Sequence, residues 1–169
     1  ENESKDHLAI CTGDLLTNEP VLSRIHSQCI TGESFFSMRC DCRFQLTESL
    51  KQIAQIGRGV IFYLQQEGRG IGLSNKIKAY SLQDKGLDTV EANHQLGFKD
   101  DERTYENIAG MVKYLAIKKL DLMTNNPKKI KALEDMGIKV NQRVPIFSDT
   151  NKYNERYIST KKSKLGHLI

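Results

Sequence analysis

Short apolar runs alternate with helical segments along most of this 169-residue chain. The run "GVIFYL" (59–64) is typical of a buried strand, and residues 43–56 before it place apolar side chains at near-helical spacing. The same patterns predict further strands at 7–12, 20–30, 119–124 and 138–146, and further helices at 74–86, 105–117 and 126–137. This order predicts an α/β (α+β) fold, in which residues 1–169 form a single domain and helices flank a mixed β-sheet.

Three parts of the chain stand outside this alternation. Residues 87–103 lack a clear period and carry several reactive side chains, so we expect a functional loop there. The polar tail, 150–169, is expected to lie across the surface. Cys11 has no partner motif and is interpreted as a small buried hydrophobe. The chain opens in mid-pattern, and we expect the first residues of the natural protein to precede it.

Composition excludes several classes of protein. Hydrophobic residues make up 38% of the chain and charged residues 27%, and the apolar runs are too short to span a bilayer. No secretory signal opens the sequence, so a cytosolic location is expected. The formal net charge of +4 suits a small phosphorylated ligand or simply a solvated lysine-rich face. Without an aromatic-plus-basic motif, polymeric nucleic acid is disfavoured as a partner.

The stretch "HSQCITGESFFSMRCDC" (26–42) carries Cys29, Cys40 and Cys42, three of the four cysteines of the chain. In a reducing compartment these thiols are not expected to form disulfides. Three thiolates can hold a zinc ion and leave its fourth position open, the pattern typical of catalytic zinc. Two alternatives stay open: three buried cysteines without a metal, and a closed site in which His26 is the fourth ligand.

Two stretches resemble anion-binding loops. In "EGRGIG" (67–72), glycines would let backbone N–H groups approach a phosphate, although a simple strand-to-helix turn would have the same composition. In "TNNPKK" (124–129), lysines stand at the start of a predicted helix, where they oppose its dipole. A bound anion would explain that placement, and ordinary surface lysines are the alternative.

Three further side chains are candidates for acid–base or phosphate chemistry. Asp101 and Arg103 could act as a base and a phosphate-binding group, or belong to a solvated acidic loop. Tyr80 lies in a predicted helix, where a core tyrosine with a satisfied hydroxyl is the usual interpretation.

Several stretches, taken in order, resemble the GTP cyclohydrolase II family over nearly the whole chain. They are "RIHSQCITG" (24–32), "CDCRFQL" (40–46), "QEGRGIGLSNKIKAYSLQDKG" (66–86), "DTVEANHQLGFKDDER" (88–103), "MTNNPKK" (123–129) and "KLGH" (164–167). The resemblance implies that GTP is hydrolysed to 2,5-diamino-6-hydroxy-4-(5-phosphoribosylamino)pyrimidine, with release of formate and pyrophosphate, as the first step of riboflavin biosynthesis. It also implies one zinc ion per chain, magnesium with the triphosphate, and a homodimer.

The resemblance assigns roles residue by residue. Cys29, Cys40 and Cys42 are implied zinc ligands. Tyr80 is implied to assist at the zinc site, Asp101 to accept a proton, and Arg103 to act at the α-phosphate as a nucleophile or, more easily for a guanidinium, as a stabiliser. The implied GTP contacts are Arg24, Ile25, His26, Ser27, Gln28, Gln45, Glu67, Gly68, Arg69, Thr89, Thr124 and Lys129. They agree with the two anion-binding stretches, which would lie at neighbouring strand ends.

Two positions depart from the family pattern. Gln28 stands where glutamate is usual, which removes a carboxylate beside the first cysteine. Arg43 stands where glycine is common, and is expected to force a β-carbon into a turn. These departures leave open a GTP-binding paralogue with partial or no turnover. A third class, an interaction module with a purely structural zinc, would lack nucleotide affinity.

Overall fold

The structure is a computed structural model that describes residues 5–169. The described chain divides into two compact units. The sheet unit comprises the described residues of Glu1–His26 together with Gln45–Gln65 and Tyr105–Phe147, and the cysteine unit comprises Ser27–Phe44, Gln66–Thr104 and Ser148–Ile169. The expectation that residues 1–169 form one domain stays a prediction.

A mixed five-stranded sheet organises the sheet unit. Its strands are β1 (Leu8–Thr12), β2 (Val21–Ser27), β3 (Gly59–Leu64), β4 (Leu120–Met123) and β5 (Val140–Val144), in the spatial order β1-β3-β2-β4-β5. Strand β1 is antiparallel to β3, whereas β2, β4 and β5 are parallel to one another. The sheet confirms the predicted fold class. Each predicted strand segment contains one of these strands: 7–12, 20–30, 59–64, 119–124 and 138–146.

Helices cover both faces of this sheet, as alternation of its side chains requires. Phe62 and Leu122 point to one face, where they pack with α5 (Glu106–Tyr114) and α6 (Pro127–Asp135). Ile61 and Met123 point to the other face and pack with Ile53 of α2 (Cys42–Ile56). The segments predicted as helices at 43–56, 105–117 and 126–137 are thereby confirmed.

The cysteine unit is built from short helices. They are α1 (Ile30–Glu33), a 3₁₀ turn (Glu67–Gly70), α3 (Gly72–Asp84), α4 (Thr89–Gln95) and α7 (Glu155–Ser163). Helix α3 contacts the 3₁₀ turn and α4, and α4 contacts α7. None of the helices in the described part of the chain is long and apolar enough to cross a membrane.

Two expectations about local structure are wrong. Residues 87–103 are not a loop throughout, because they contain α4, which begins with a capping box. The Asp88 carboxylate accepts a hydrogen bond from the backbone N–H of Glu91, and the Glu91 carboxylate accepts one from the backbone N–H of Asp88. The tail, residues 150–169, does not lie entirely on the surface, because it contains α7 and two of its side chains, Lys161 and Leu165, are buried. Helix α7 has little apolar periodicity, and its tertiary contacts were invisible in the sequence.

Three further readings need correction. Cys11 is exposed, because it lies on β1, an edge strand whose residues are all exposed. Arg43 does not strain a turn: it lies in the first turn of α2, and its guanidinium sits 4.3 Å from the centre of the Phe36 ring. The strands that precede the two anion-binding stretches, β3 and β4, are not neighbours, since β2 lies between them.

Candidate functional site

Three thiols converge in the cysteine unit. Cys29 precedes α1 as its N-cap residue, Cys40 lies in the following turn, and Cys42 begins α2. Their three sulfur atoms lie within 4.8 Å of one another, and those of Cys29 and Cys40 are 3.7 Å apart. The cysteines predicted from spacing as a metal-binding set are therefore brought together by the fold.

The surroundings of the thiols fit a metal with soft ligands. Gly32 faces the cluster, and a β-carbon at this position would lie 2.9 Å from the Cys40 sulfur and 3.2 Å from the Cys29 sulfur. Glycine thus leaves the room that the sulfurs occupy. Three sulfur donors in a compact group suit zinc, which binds thiolates tetrahedrally.

The thiols compete for one negative charge. Hydrogen bonds from Cys40 and then Cys42 lower the pKa of Cys29, and the Lys76 ammonium, 3.1 Å from the Cys29 sulfur, lowers it further. The same hydrogen bonding to Cys29 raises the pKa of Cys40 to about 11 and that of Cys42 well above its usual value. A divalent cation would relieve this competition, because it stabilises all three thiolates together.

Lys76 was not identified from the sequence, yet it lies at the centre of the charged contacts around Cys29. Its ammonium donates to the Glu67 carboxylate at 2.6 Å, and both side chains are nearly buried. Burial alone would lower the pKa of Lys76, but the negative charges of Cys29 and Glu67 raise it above its usual value. Lys76 is therefore a fixed positive charge beside the thiols.

The predicted anion-binding turn has a strained backbone. Gly68 and Arg69 both adopt left-handed conformations, with φ of 63° and 59°, and this region is costly for arginine. Glu67 accepts hydrogen bonds from the backbone N–H groups of Ile30 at 2.6 Å and Gly68 at 2.8 Å, so it organises the turn. The buried Nη1 of Arg69 has no hydrogen-bond partner among the described residues. Such an atom is well suited to an anionic ligand.

Tyr80 is close to the thiol cluster through Thr31. Its hydroxyl lies 3.4 Å from the Thr31 Oγ1, which is itself 3.6 Å from the Cys29 sulfur. Burial raises the pKa of Tyr80, so its phenol stays protonated at neutral pH. Tyr80 can therefore donate a hydrogen bond near the cysteines, and the expectation of a simple core tyrosine does not describe its position.

Asp101 and Arg103 form a bidentate ion pair. Arg103 Nε donates to Asp101 Oδ1 at 2.8 Å, and Nη2 donates to Oδ2 at 2.5 Å. Burial alone would raise the pKa of Asp101, but Arg103 lowers it below its usual value. The next residue joins this pair to the strained turn, because the Glu102 N–H donates to the Arg69 carbonyl at 3.0 Å. The structure thus brings Asp101 and Arg103 to the predicted anion-binding turn.

The remaining candidates of the cysteine unit lie at element ends. Thr89 is the first residue of α4, directly after its N-cap Asp88. Ser27 ends β2, and its buried hydroxyl has no hydrogen-bond partner among the described residues. Gln28 is half-buried next to Cys29.

The sheet unit groups the other candidates at the carboxyl ends of parallel strands. Arg24 of β2 donates to the Met123 carbonyl at 2.9 Å and also pairs with Gln45. Thr124 directly follows β4 and accepts from the Asn126 N–H at 3.0 Å. The carboxyl ends of parallel strands are common ligand-binding positions in α/β folds.

Lys129 occupies the first turn of α6 but does not reach solvent. Its buried ammonium donates to the carbonyl of Ile25 at 2.8 Å, which ties α6 to β2. His26, the next residue, stacks on Tyr63 with ring centres 5.7 Å apart. The helix-start lysine predicted as an anion contact therefore also has a structural contact.

Comparison with known proteins identifies the family. The sequence model of GTP cyclohydrolase II matches residues 1–145. The chain belongs to the GTP cyclohydrolase II family. It is 57% identical over 169 residues to GTP cyclohydrolase-2 of Tolumonas auensis, covering 100% of this chain and 86% of the relative. It is 58% identical over 165 residues to GTP cyclohydrolase-2 of Aeromonas hydrophila subsp. hydrophila, covering 98% and 84%.

A third relative agrees: GTP cyclohydrolase-2 of Shewanella amazonensis is 56% identical over 165 residues, covering 98% of this chain and 80% of the relative. The family resemblance drawn from the motifs is confirmed, and this member of the GTP cyclohydrolase II family is an enzyme. Sequence reasoning missed Lys76 and Gly32. Both stand inside the quoted motifs, but only the fold reveals their contacts with the thiols.

Proposed function

We propose that this GTP cyclohydrolase II family member hydrolyses GTP in riboflavin biosynthesis. It would open the imidazole ring of guanine and release formate and pyrophosphate, leaving 2,5-diamino-6-hydroxy-4-(5-phosphoribosylamino)pyrimidine. The observation that carries the proposal is the convergence of Cys29, Cys40 and Cys42 within 4.8 Å in a chain of this family.

Cys29, Cys40 and Cys42 would hold a zinc ion. Zinc with an open position supplies Lewis-acid activation of water at neutral pH. Three thiolates outweigh the charge of a divalent ion, and Lys76, 3.1 Å from the Cys29 sulfur, offsets the excess. Tyr80, protonated and linked to the cluster through Thr31, would donate a hydrogen bond to the ring nitrogen from which the C8 carbon is cleaved.

The proposed GTP contacts follow the family resemblance residue by residue. Magnesium would bridge the phosphate oxygens and retain several waters, so a dedicated carboxylate cage is not needed. The orphaned Nη1 of Arg69 supports the assignment of the strained turn to an anion. The proposed contacts are Arg24, Ile25, His26, Ser27, Gln28, Gln45, Glu67, Gly68, Arg69, Thr89, Thr124 and Lys129.

Arg103 is proposed to stabilise negative charge as pyrophosphate leaves, rather than to attack the α-phosphate. A guanidinium held by a carboxylate at 2.8 and 2.5 Å stays protonated and has no free electron pair to donate. Asp101 fixes the orientation of Arg103, and its lowered pKa keeps the carboxylate ionised. Its role as a proton acceptor is proposed from the family resemblance. We further propose a cytoplasmic homodimer in which residues 1–169 act as one catalytic domain, on the strength of the family resemblance.

Product analysis tests the proposed function. The protein is loaded with zinc, incubated with GTP and magnesium, and assayed for formate, for pyrophosphate and, by mass spectrometry, for the pyrimidine. We expect all three products from the wild type, and loss of both zinc and ring opening in Cys42→Ser. Folded, zinc-loaded protein that yields no formate would refute the proposal. Pyrophosphate release without formate would leave either an intact ring or an opened ring that retains the formyl group, and the mass of the product distinguishes the two.

A further inference from the structure

A buried ion pair joins the turn between Cys40 and Cys42 to the C-terminal helix. The Lys161 ammonium of α7 donates to both carboxylate oxygens of Asp41, at 2.7 and 2.9 Å. The side chains are only 9% and 3% exposed, respectively. A pair buried this deeply does little for stability by itself, but removal of Lys161 takes away the ammonium that faces both oxygens of the buried Asp41 carboxylate.

Lys161 is held in place by neighbouring residues of α7 and of the segment that follows it. Thr160 and Leu165 are buried on either side of it. Lys164, close to the end of α7, forms ion pairs with Asp88 and with Glu91, the two residues of the α4 capping box. Lys164 and Glu91 are exposed and Asp88 is buried. Pairs with an exposed partner are individually weak, yet together with the buried side chains they fix α7 against α4. The ammonium of Lys161 is therefore a defined anchor rather than a mobile tail group.

The ion pair with Lys161 restrains the two neighbouring cysteines through the backbone of Asp41. Asp41 is bonded directly to Cys40 and Cys42, so a fixed carboxylate limits the rotations of the backbone on both sides of it. Two thiols separated by one residue must point to a common centre, and small rotations there move the sulfurs apart. Residues that orient metal ligands typically change metal affinity about 10–100-fold when mutated.

We propose that Lys161 is a positioning residue for the metal-binding turn, acting through Asp41. Helix α7 thus belongs to the zinc site although it supplies no ligand. The inference rests on the proposed zinc-dependent function of the three cysteines. It differs from a purely structural role, in which the pair would affect folding but leave the geometry and affinity of the metal site unchanged.

Cobalt serves as the probe, because its absorption bands report on the number and arrangement of thiolate ligands. Full-length Lys161→Met, Lys161→Arg and the double variant Asp41→Asn/Lys161→Met are titrated with Co²⁺ against a chelator of known affinity. Lys131→Met is the matched control, because Lys131 forms an exposed i,i+4 pair with Asp135. Unfolding of each metal-free protein and the kcat and KM for GTP of each zinc-loaded protein are measured in parallel.

We expect Lys161→Met to bind Co²⁺ about 10–100-fold more weakly, with altered thiolate bands and a lower kcat at similar KM. Lys161→Arg should recover most of the affinity, and Lys131→Met should match the wild type. The double variant should regain metal-free stability, because neither charge of the pair stays buried, and still bind Co²⁺ weakly. It keeps the test decisive if Lys161→Met does not fold.

Wild-type affinity and bands in the double variant would overturn the inference and leave the proposed function intact. A wild-type protein that binds neither Co²⁺ nor zinc would instead refute the zinc-dependent function, and the inference with it.

Discussion

Replacement of Gly32 by alanine tests the thiol cluster sterically. The new β-carbon would lie 2.9 Å from the Cys40 sulfur and 3.2 Å from the Cys29 sulfur, shorter than ordinary contacts of 3.4–4 Å. Overpacking of this kind costs about 1–3 kcal/mol. Gly32 has no left-handed φ, so the backbone by itself would favour alanine, by about 0.4–1 kcal/mol. The steric cost is the larger of the two, and we expect a net loss of roughly 1–2 kcal/mol.

The metal should respond more strongly than the fold, because the displaced atoms are its ligands. We expect Gly32→Ala to weaken zinc binding by about 10–100-fold, measured by chelator competition, and to lower formate release in proportion. Gly110→Ala is the control: Gly110 also has no left-handed φ, and its β-carbon would meet nothing within 4 Å. It should raise the free energy of unfolding by about 0.4–1 kcal/mol and leave zinc binding unchanged. Wild-type zinc affinity in Gly32→Ala would show that a β-carbon at this position does not displace the sulfurs.

Three other substitutions probe the charges and the cap. Lys76→Met should raise the pKa of the Cys29 thiol in the metal-free protein, because it removes an ammonium 3.1 Å from the sulfur; thiolate absorbance against pH measures this. Arg103→Met should destabilise the protein above about pH 4, the usual pKa of an unfolded aspartate. That difference should shrink as pH falls through the lowered pKa of folded Asp101, because protonation removes the stabilising charge. Asp88→Ala should cost about 0.5–2 kcal/mol of unfolding free energy, since it removes the N-cap of α4.

Each of these three predictions would be contradicted by one result. An unchanged Cys29 titration in Lys76→Met would mean that the ammonium does not act on the thiolate. A stability difference that persists unchanged at pH 2 would exclude the Asp101 pairing as the origin of the Arg103 effect. An unchanged free energy of unfolding in Asp88→Ala would show that the capping box contributes nothing measurable to stability. Lys131→Met, which removes an exposed ion pair with Asp135, is the control for all three substitutions.

The sequence predicted those elements whose stability comes from periodic apolar burial. The strand at "GVIFYL" and the amphipathic part of α2 follow directly from spacing, because their apolar side chains face a sheet core. Helix α4 was missed although "DTVE" is a capping-box sequence, since a seven-residue helix leaves little period to detect. Helix α7 was missed because its position depends on Lys161 and Leu165, which become buried only through tertiary contacts.

The metal-binding cysteines of the candidate site could be predicted from the sequence, but the side chains that surround and position them could not. Cysteine spacing and motif order identified the three thiols. The contact of Lys76 with Cys29 spans 47 residues and that of Lys161 with Asp41 spans 120, and no local pattern encodes such pairs. Arg43 illustrates the reverse error: its position in the sequence predicts a β-carbon forced into a turn, but the residue lies in the first turn of α2.

X-ray absorption at the zinc edge tests whether the three cysteines leave one position of the metal to solvent, because it counts the ligands of the metal in the purified protein. We expect three sulfur ligands from Cys29, Cys40 and Cys42, with one oxygen ligand from solvent completing the coordination. A fourth ligand from the protein, such as a histidine nitrogen, or the absence of zinc from protein that still opens GTP, would contradict this expectation.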